Sequence, residues 1–316
     1  MAQIENKQAP SLSLLYTYAA PSNLVDSAGK YSQQRTQLNI RLPIYSSYKS
    51  KDSLSGANYF QLSAHANAAY TDLELSPVFN QQNLYALSAG MSALLLRNFK
   101  NSFFVTVAAN SRGDESMLAQ DAIRFSGIAI YKRRVSQKFS YHVGAGYAYF
   151  IGRGVLFPAL GLTLKTSARS RLNIQFPGRI SYTQMFGKSF TLMAYLRPQG
   201  GFFSIQNDST FMQGKENSFI RLRENQFGLS GRYRINSAFK VSADVGYALR
   251  RSIRLTDGLQ KSSAALYNSA IENGPYFGIG LHYKFGKRQK NLNDKTSDQE
   301  NEEIISDPNF YDIILN

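Results

Sequence analysis

The chain alternates apolar residues with small or polar residues, two residues to a period, in one segment after another. In residues 276–285 one face of an extended strand is wholly apolar, and the opposite face is small or polar. The apolar face carries Phe277, Ile279, Leu281, Tyr283 and Phe285. Such a strand lies between an apolar and a polar environment. About a dozen segments of roughly ten residues repeat the pattern, which predicts a transmembrane β-barrel.

The composition agrees with a barrel and argues against a helical membrane protein. The 316 residues include 20 Tyr and 21 Phe, yet the mean hydropathy is −0.31. No stretch approaches the ~18 consecutive apolar residues that a transmembrane helix needs. Alternating faces give this combination because lipid-facing and lumen-facing residues average out. Cys is absent, which excludes thiol catalysis and thiolate metal sites.

The alternation predicts an all-β fold, an antiparallel up-and-down barrel of twelve strands within residues 11–285. The predicted strands are residues 11–20, 35–45, 58–70, 84–96, 102–110, 122–132, 139–150, 171–183, 189–203, 219–233, 239–249 and 276–285. Short connections alternate with long ones, as short periplasmic turns and long extracellular loops do in outer-membrane barrels. The predicted long loops are residues 21–34, 73–83, 111–121, 151–170, 205–218 and 250–274.

A barrel of fourteen strands is the alternative interpretation. Residues 158–164 also alternate, and they form an extra strand if Pro177-Gly178 makes a second tight turn. The strands flanking that turn would then be too short to span a bilayer by themselves. For this reason twelve strands are preferred, with a bulge expected at Pro177 because Pro cannot donate to a strand ladder.

Both ends of the chain fall outside the predicted barrel. Residues 1–10 are expected to be a periplasmic lead, and because residues 1–5 show no apolar signal region, we expect that a signal peptide has been removed. Residues 286–316 carry four basic and seven acidic side chains, which predicts a flexible acidic periplasmic tail. Its apolar end, residues 308–315, either docks a periplasmic protein or is a frayed terminus. Tyr283 and Phe285 are expected to signal to the outer-membrane assembly machinery.

A set of charged and titratable side chains falls on the predicted lumen face. The set comprises Arg41, His65, His142, Arg197, Glu224, Lys240, Asp244 and His282. Two interpretations stay open: a mixed-charge network that nearly fills a narrow barrel, or a thin pore with a weak preference for anions. The three His lie on well-separated strands, so no metal site or cofactor is predicted. In the seventh strand Val143 is predicted to face lipid and Gly144 the lumen, where Ser should be tolerated.

No catalytic constellation is predicted. The outer-membrane lipases place a Ser-His pair on the lipid-facing wall and the proteases place Asp and His at the outer rim, but the predicted register puts no His in either place. The expectation is a non-enzymatic protein, either a narrow channel or a structural subunit of an envelope complex. The alternative is a lipid- or peptide-hydrolysing barrel. Residues 1–285 carry a net charge of +18 (32 basic and 14 acidic side chains). The cations lie in turns beside Tyr residues, which favours anchoring to outer-membrane lipids over nucleic-acid binding.

Residues 156–203 resemble a family of outer-membrane barrels that is common in Bacteroidota and is known as domain of unknown function 6268. The residues that carry the resemblance are Pro158, Gly161, Phe176-Pro177, Tyr182 and Lys188. The closing segment, residues 278–285, is similar as well. The resemblance covers most of residues 11–285, and it implies a location in the cell outer membrane without implying an activity.

Overall fold

The structure is a computed structural model that describes residues 9–25, 28–50, 57–76, 78–98, 100–115, 123–150, 153–205, 218–257 and 265–285. Within these ranges the chain forms fifteen β-strands that belong to one sheet. The strands are β1 (Ser11–Asn23), β2 (Lys30–Ser50), β3 (Ala57–Leu75), β4 (Phe79–Arg97), β5 (Asn101–Gly113), β6 (Ile123–Arg134), β7 (Phe139–Phe150), β8 (Arg153–Lys165), β9 (Ser170–Phe176), β10 (Arg179–Phe186), β11 (Phe190–Ile205), β12 (Ser218–Arg234), β13 (Phe239–Thr256), β14 (Ala265–Ile271) and β15 (Gly274–Lys284). No helix long and apolar enough to cross a membrane occurs in these ranges.

Fourteen of the strands close into an antiparallel barrel. The strands β1 to β13 pair in chain order, and β15 completes the ring by pairing with both β13 and β1. The remaining strand, β14, lies outside the ring: it pairs with one end of β13, and its last residue, Ile271, forms an isolated bridge with Leu24. We call the end of the barrel with the short connections 135–138, 166–169, 187–189 and 235–238 the turn end, and the opposite end the loop end.

The prediction of twelve strands is wrong, and the fourteen-strand alternative is correct. Residues 158–164, which were assigned to a long loop, belong to β8, and the predicted strand 171–183 is a hairpin that turns at Pro177-Gly178. The prediction failed because it required every strand to span the bilayer by itself. The two strands β9 and β10 have only seven and eight residues, and they hydrogen-bond to longer neighbours.

The strand alternation separates an apolar outer surface from a polar inner surface. Outward positions such as Val143 on β7 and Leu281 on β15 are exposed apolar side chains, while inward positions such as Ser63 and Thr106 are buried. Aromatic pairs line the turn end of the outer surface: they are Phe103 with Tyr131, Phe186 with Phe190, and Phe239 with Tyr283. This is the reverse of a soluble protein and is the pattern of a barrel with an apolar exterior.

The loop end differs, because an apolar core fills the interior there. We call this core the apolar cap. It consists of Leu24, Tyr31, Ala69, Leu73, Leu75, Val78, Leu84, Ala86, Phe203, Ile205, Ile220, Leu222, Ile253, Leu255 and Ile271. Several strands extend past the barrel wall to supply it: the strands β2, β3 and β4 have 21, 19 and 19 residues, and β12 and β13 have 17 and 18. Closely packed apolar side chains exclude water, so the cap, whose members are all buried, occupies the axial exit of the barrel.

The strands β5 and β11 meet across the barrel at the level of the cap, where Ser204 lies between the cap residues Phe203 and Ile205. Ser204 pairs in parallel with Gly113, and the backbone N–H of Asp114 donates to the Ser204 carbonyl at 3.1 Å. This contact joins two strands that are separated in the ring by β6 to β10. As a result, the loop ends of β6 to β10 are left outside the cap.

The barrel ring is complete before residue 286, so we expect a chain truncated after Gly286 to fold. A matched truncation after Asn273 removes β15, leaves β1 and β13 with unpaired edges, and should not fold in a membrane mimetic. The mobility of heated and unheated samples in detergent gels distinguishes the two variants. If the truncation after Gly286 migrates only as unfolded chain, the tail contributes to the fold.

Three expectations about the ends stay predictions. The lead (residues 1–10, described only from 9), the tail (286–316) and its apolar end (308–315) lie wholly or mainly outside the described residues. The rings of Tyr283 and Phe285 lie edge to face at 4.5 Å, and the Phe285 N–H donates to the Pro10 carbonyl at 2.8 Å. Phe285 is therefore held against the ring by these two contacts, while its role as an assembly signal stays a prediction.

Candidate functional site

The wall of the barrel has a notch on its loop-end side. The short hairpin β9–β10 ends at Pro177-Gly178, and the pairing of β8 with β9 stops at Leu160 while that of β10 with β11 stops at Leu196. Beyond these points residues 153–159 of β8 and 197–203 of β11 have no partner strand on their facing edges among the described residues. The notch is the gap between these two edges, bounded above by the contact of β5 with β11.

A second split lies beside the notch. The strands β6 and β7 pair only from Gly127 and Tyr147 toward the turn end, and their loop-end residues form no ladder with each other. The tips of β7 and β8, residues 148–150 and 153–159, therefore pair only with each other in the described part of the chain. We call these residues the free hairpin.

Proline explains why the edges of the notch stay unpaired. Pro158 lies in β8, Pro177 in the turn and Pro198 in β11, so each side of the notch carries a residue without a backbone N–H. Pro is tolerated in a sheet mainly at edges and bulges because it cannot donate to a ladder. The local sequence thus opposes extension of the β9–β10 hairpin to full height.

A cavity of about 670 Å³ lies behind the notch. Its wall is formed by parts of β5 to β8, the Pro177-Gly178 turn, β10, β11, β12 and β13. Apolar side chains, including Val155, Phe157 and Phe202, form one part of the wall. The volume lies in the range of small-molecule pockets, ~300–1,000 Å³.

Most of the charged residues of the cavity wall are arginines. Its arginines are Arg112, Arg124, Arg179, Arg197, Arg221, Arg223 and Arg250. The only carboxylate among the described lining residues is Glu224. One guanidinium, that of Arg124, lies 4.3 Å from the ring centroid of Tyr149, a cation–π distance. The described part of the wall therefore carries seven positive charges and one negative charge.

Hydrogen bonds already engage the carboxylate of Glu224. The Nε of Arg251, a residue outside the cavity wall, donates to Glu224 Oε2 at 3.3 Å, and Gln226 Nε2 donates to Oε1 at 2.6 Å. Arg251 also donates from Nη1 to Ser22 Oγ at 2.8 Å. Arg197 donates from Nε and Nη2 to Gln226 Oε1 at 3.0 and 2.8 Å. Both Glu224 oxygens therefore accept hydrogen bonds within this network, and Glu224 is the one negative charge beside the seven arginines of the described wall.

The structure joins two of the predicted lumen residues, Arg197 and Glu224, through Gln226. Two other pairs are cross-strand neighbours: Arg41 with His65 on β2 and β3, and Lys240 with His282 on β13 and β15. These two pairs lie toward the turn end and do not line the cavity. Their part in conduction stays a prediction.

The remaining predicted residues have structural partners. His282 lies between two hydroxyls, with Nδ1 2.9 Å from Ser13 Oγ and Nε2 3.3 Å from Ser242 Oγ. Asp244 accepts from the Tyr195 hydroxyl at 3.5 Å. His142 pairs across the strands with Lys132 and Gly161. Among the described residues no group of three or more His, Asp and Glu side chains is placed to hold a metal ion.

Sequence reasoning missed the basic cavity. Six of its arginines were not among the predicted lumen residues, because they come from five separate strands, β5, β6, β10, β12 and β13. They are Arg112, Arg124, Arg179, Arg221, Arg223 and Arg250. The available signal was the Pro177-Gly178 pair, which marks the short hairpin that opens the wall.

A closed antiparallel barrel with an apolar exterior, a polar interior and a cavity in its wall defines a protein of the porin-like β-barrel class. The chain belongs to the family described as Domain of unknown function (DUF6268), whose profile matches residues 1–284. This confirms the family that the sequence resembles, whereas an origin in Bacteroidota stays a prediction. No curated protein is significantly similar to the chain.

Several solved barrels are similar in structure. An outer-membrane channel from Pseudomonas putida F1 shows 9% identity and a TM-score of 0.48, over 90% of this chain and 100% of that chain. The translocator domain of the autotransporter NalP from Neisseria meningitidis shows 11% identity and a TM-score of 0.34, over 89% and 90%. LpxR from Salmonella typhimurium shows 10% identity and a TM-score of 0.33, over 87% and 100%.

Proposed function

We propose that the protein is a non-enzymatic outer-membrane channel whose outer mouth is the notch in the barrel wall. The observation that carries this proposal is the basic cavity behind the notch, at a height where the apolar cap occupies the axial exit. Solutes would pass between this cavity and the polar interior toward the turn end. The turn end faces the periplasm, as short turns do in outer-membrane barrels.

The apolar exterior supports a location in the outer membrane. On β3 the outward positions from Phe60 to Tyr70 span ten residues, which at ~3.3 Å per residue and a typical tilt give a height of ~25 Å. Beyond Tyr70 the outward residues are acidic: Asp72 accepts from Gln81 Nε2 at 3.1 Å and Glu74 from Ser32 Oγ at 3.0 Å. The change from apolar to charged residues supports a position of the loop end outside the hydrocarbon.

The side chains of the cavity support the proposal that the protein is not an enzyme. A hydrolytic barrel needs a nucleophile within reach of a general base. The described cavity wall contains Ser126, Ser204 and Ser252 but neither His nor Asp, and Glu224 is held by Arg251. The other non-enzymatic candidate is a structural subunit of an envelope complex, which would not conduct.

We expect the purified protein to conduct in planar bilayers with a weak preference for anions. Fixed positive charge beside a narrow path favours anions, although salt screens it within ~8–10 Å. In the double variant Arg223→Glu and Arg250→Glu, which exchanges two exposed cavity charges, the preference should shift toward cations. The reversal potential in a salt gradient measures the shift.

The matched control carries the same two substitutions outside the cavity, at Arg97 and Arg133. Both arginines are exposed at the turn end, and the control should keep the anion preference of the parent. A silent parent protein would favour the structural subunit. If the protein conducts but the double variant Arg223→Glu and Arg250→Glu has the same reversal potential as the parent, ions do not pass the notch.

A further inference from the structure

The outer surface beside the notch exposes the two most accessible large apolar side chains of the described residues. Leu156 on β8 is 76% exposed and Phe125 on β6 is 69% exposed. Each lies where its strand lacks a paired neighbour on one side among the described residues: Phe125 pairs only with Ala109 of β5, and Leu156 only with Tyr147 of β7. Phe176 and Leu160, at the base of the notch, are also exposed. An acyl chain at the notch would find an apolar surface on both sides of the free hairpin.

The edges of the notch need polar partners. Backbone N–H and C=O groups in hydrocarbon must be hydrogen-bonded, and each unsatisfied group costs several kcal/mol. Residues 153–159 and 197–203 present such groups toward the gap, and the apolar residues Phe176 and Ile180 at its base place the gap beside the bilayer. A polar head group or water in the gap would satisfy them, whereas lipid tails would not.

The cavity behind the edges suits an anion. Guanidinium groups present several N–H donors in a planar arrangement that matches phosphate and carboxylate. Arg179 is almost fully buried at the base of the notch, and Arg124 and Arg223 lie on other sides of the cavity wall. A buried guanidinium binds an anion more strongly than one in water because the local dielectric constant is lower.

We propose that the notch is a lateral binding site for an amphiphile: the anionic head group lies in the cavity and the acyl chain remains in the bilayer, against Leu156 and Phe125. The proposal deepens the proposed function by naming a substrate class. It rests on that function only for the position of the bilayer, since binding does not require conduction.

The test is a binding measurement by native mass spectrometry on the full chain, using three probes. Oleoyl lysophosphatidic acid carries both a phosphate and a chain, monooleoylglycerol carries the chain alone, and glycerol 3-phosphate carries the phosphate alone. We expect one lysophosphatidic acid per barrel, bound at least about tenfold more tightly than either of the other probes. Equal binding of glycerol 3-phosphate would make this a site for soluble anions and overturn the lateral proposal.

Matched variants on single strands locate the site. Arg124→Gln on β6 should weaken lysophosphatidic acid binding about tenfold, while Arg133→Gln, exposed at the turn end of β6, should leave it unchanged. Leu156→Ser should weaken lysophosphatidic acid but not glycerol 3-phosphate, and Leu164→Ser, at the turn end of β8, should weaken neither. Heat-modifiable mobility confirms that each variant is folded.

Each outcome bears on one proposal. If the protein binds lysophosphatidic acid but does not conduct, the lateral site is supported and the channel is contradicted. If it conducts but does not bind lysophosphatidic acid, the channel is supported and the lateral site is contradicted. Equal binding of monooleoylglycerol would show that the arginines do not select the head group. Lysophosphatidic acid binding that persists in both Arg124→Gln and Leu156→Ser would place the site elsewhere on the barrel.

Discussion

Arg in place of Val143 is expected to destabilise the barrel by about 2–4 kcal/mol and to reduce its assembly in the outer membrane. Val143 is 45% exposed on the outer surface of β7, and it pairs with Tyr131 on one side and Leu160 on the other. A guanidinium there would lie in hydrocarbon with no partner. Urea unfolding of the protein in lipid vesicles measures the loss, and the amount of heat-modifiable protein in cells measures assembly.

The control for this prediction is the same substitution outside the membrane. Val135 is exposed in the connection between β6 and β7, and Val135→Arg should change the unfolding free energy by less than about 0.5 kcal/mol. Similar losses of unfolding free energy for Val143→Arg and Val135→Arg would contradict the register of β7. Gly144→Ser, which the register alone predicts to be harmless, is no longer a suitable control. A Cβ at Gly144 would lie 2.0 Å from the Ala129 carbonyl oxygen, so the adjacent backbone would have to shift.

Arg251→Met is expected to destabilise the protein by about 3–5 kcal/mol, because it leaves the largely buried carboxylate of Glu224 without its ion partner. Arg251 is only 2% exposed, and besides bonding Glu224 and Ser22 it lies 4.6 Å from the ring of Tyr31. The substitution keeps most of the side-chain volume and removes the charge. The same unfolding measurement in vesicles applies.

The double variant Glu224→Leu with Arg251→Met separates the ion pair from general packing. Removing both charges should restore at least about half of the lost stability, since no buried ion is left uncompensated. Additive losses would mean that Arg251 acts through Tyr31 and Ser22 rather than through Glu224. Arg251 does not line the cavity. If the single variant Arg251→Met folds, it should therefore still bind lysophosphatidic acid more tightly than glycerol 3-phosphate or monooleoylglycerol.

Period-2 alternation predicted the membrane part of the fold well, because each face of a spanning strand meets only one environment. The sixth and seventh predicted strands, residues 122–132 and 139–150, coincide with β6 and β7 to within two residues. Strand count was harder to predict. The β9–β10 hairpin is stabilised by pairing with β8 and β11. The length of a predicted strand does not show whether such longer neighbours support it, so the two short strands were read as one.

The loop end was misread because the pattern changes phase there. On β3 the apolar outward positions are even-numbered up to Tyr70, whereas the apolar inward positions Leu73 and Leu75 are odd-numbered. Beyond the bilayer the outer face of a strand contacts water and the inner face packs in the apolar cap. An apolar residue there indicates an inward position, whereas within the bilayer it indicates an outward one. Residues 73–83 and 250–274, predicted as long loops, therefore contain much of the apolar cap.

The basic cavity could not be predicted from the sequence for a different reason. Its arginines come from strands as distant in the chain as β5 and β13, and only the closing of the ring brings them together. The strand number determines which strands are adjacent in the ring. Because the prediction had twelve strands, it assigned the wrong neighbouring strands to these arginines. Arg197 and Glu224 were identified individually, but their link through Gln226 depends on the register of β11 with β12.

The free hairpin changes the energetics of gating. In a continuous barrel, a lateral gate opens by breaking ladder hydrogen bonds, at ~0.5–1.5 kcal/mol net for each bond, and such a gate is closed for most of the time. Here the ladder beside residues 153–159 is never formed in the described part of the chain. If amphiphiles use the notch as proposed, their passage requires no ladder bond to be broken, and we expect its rate to be set by occupancy and diffusion rather than by strand separation.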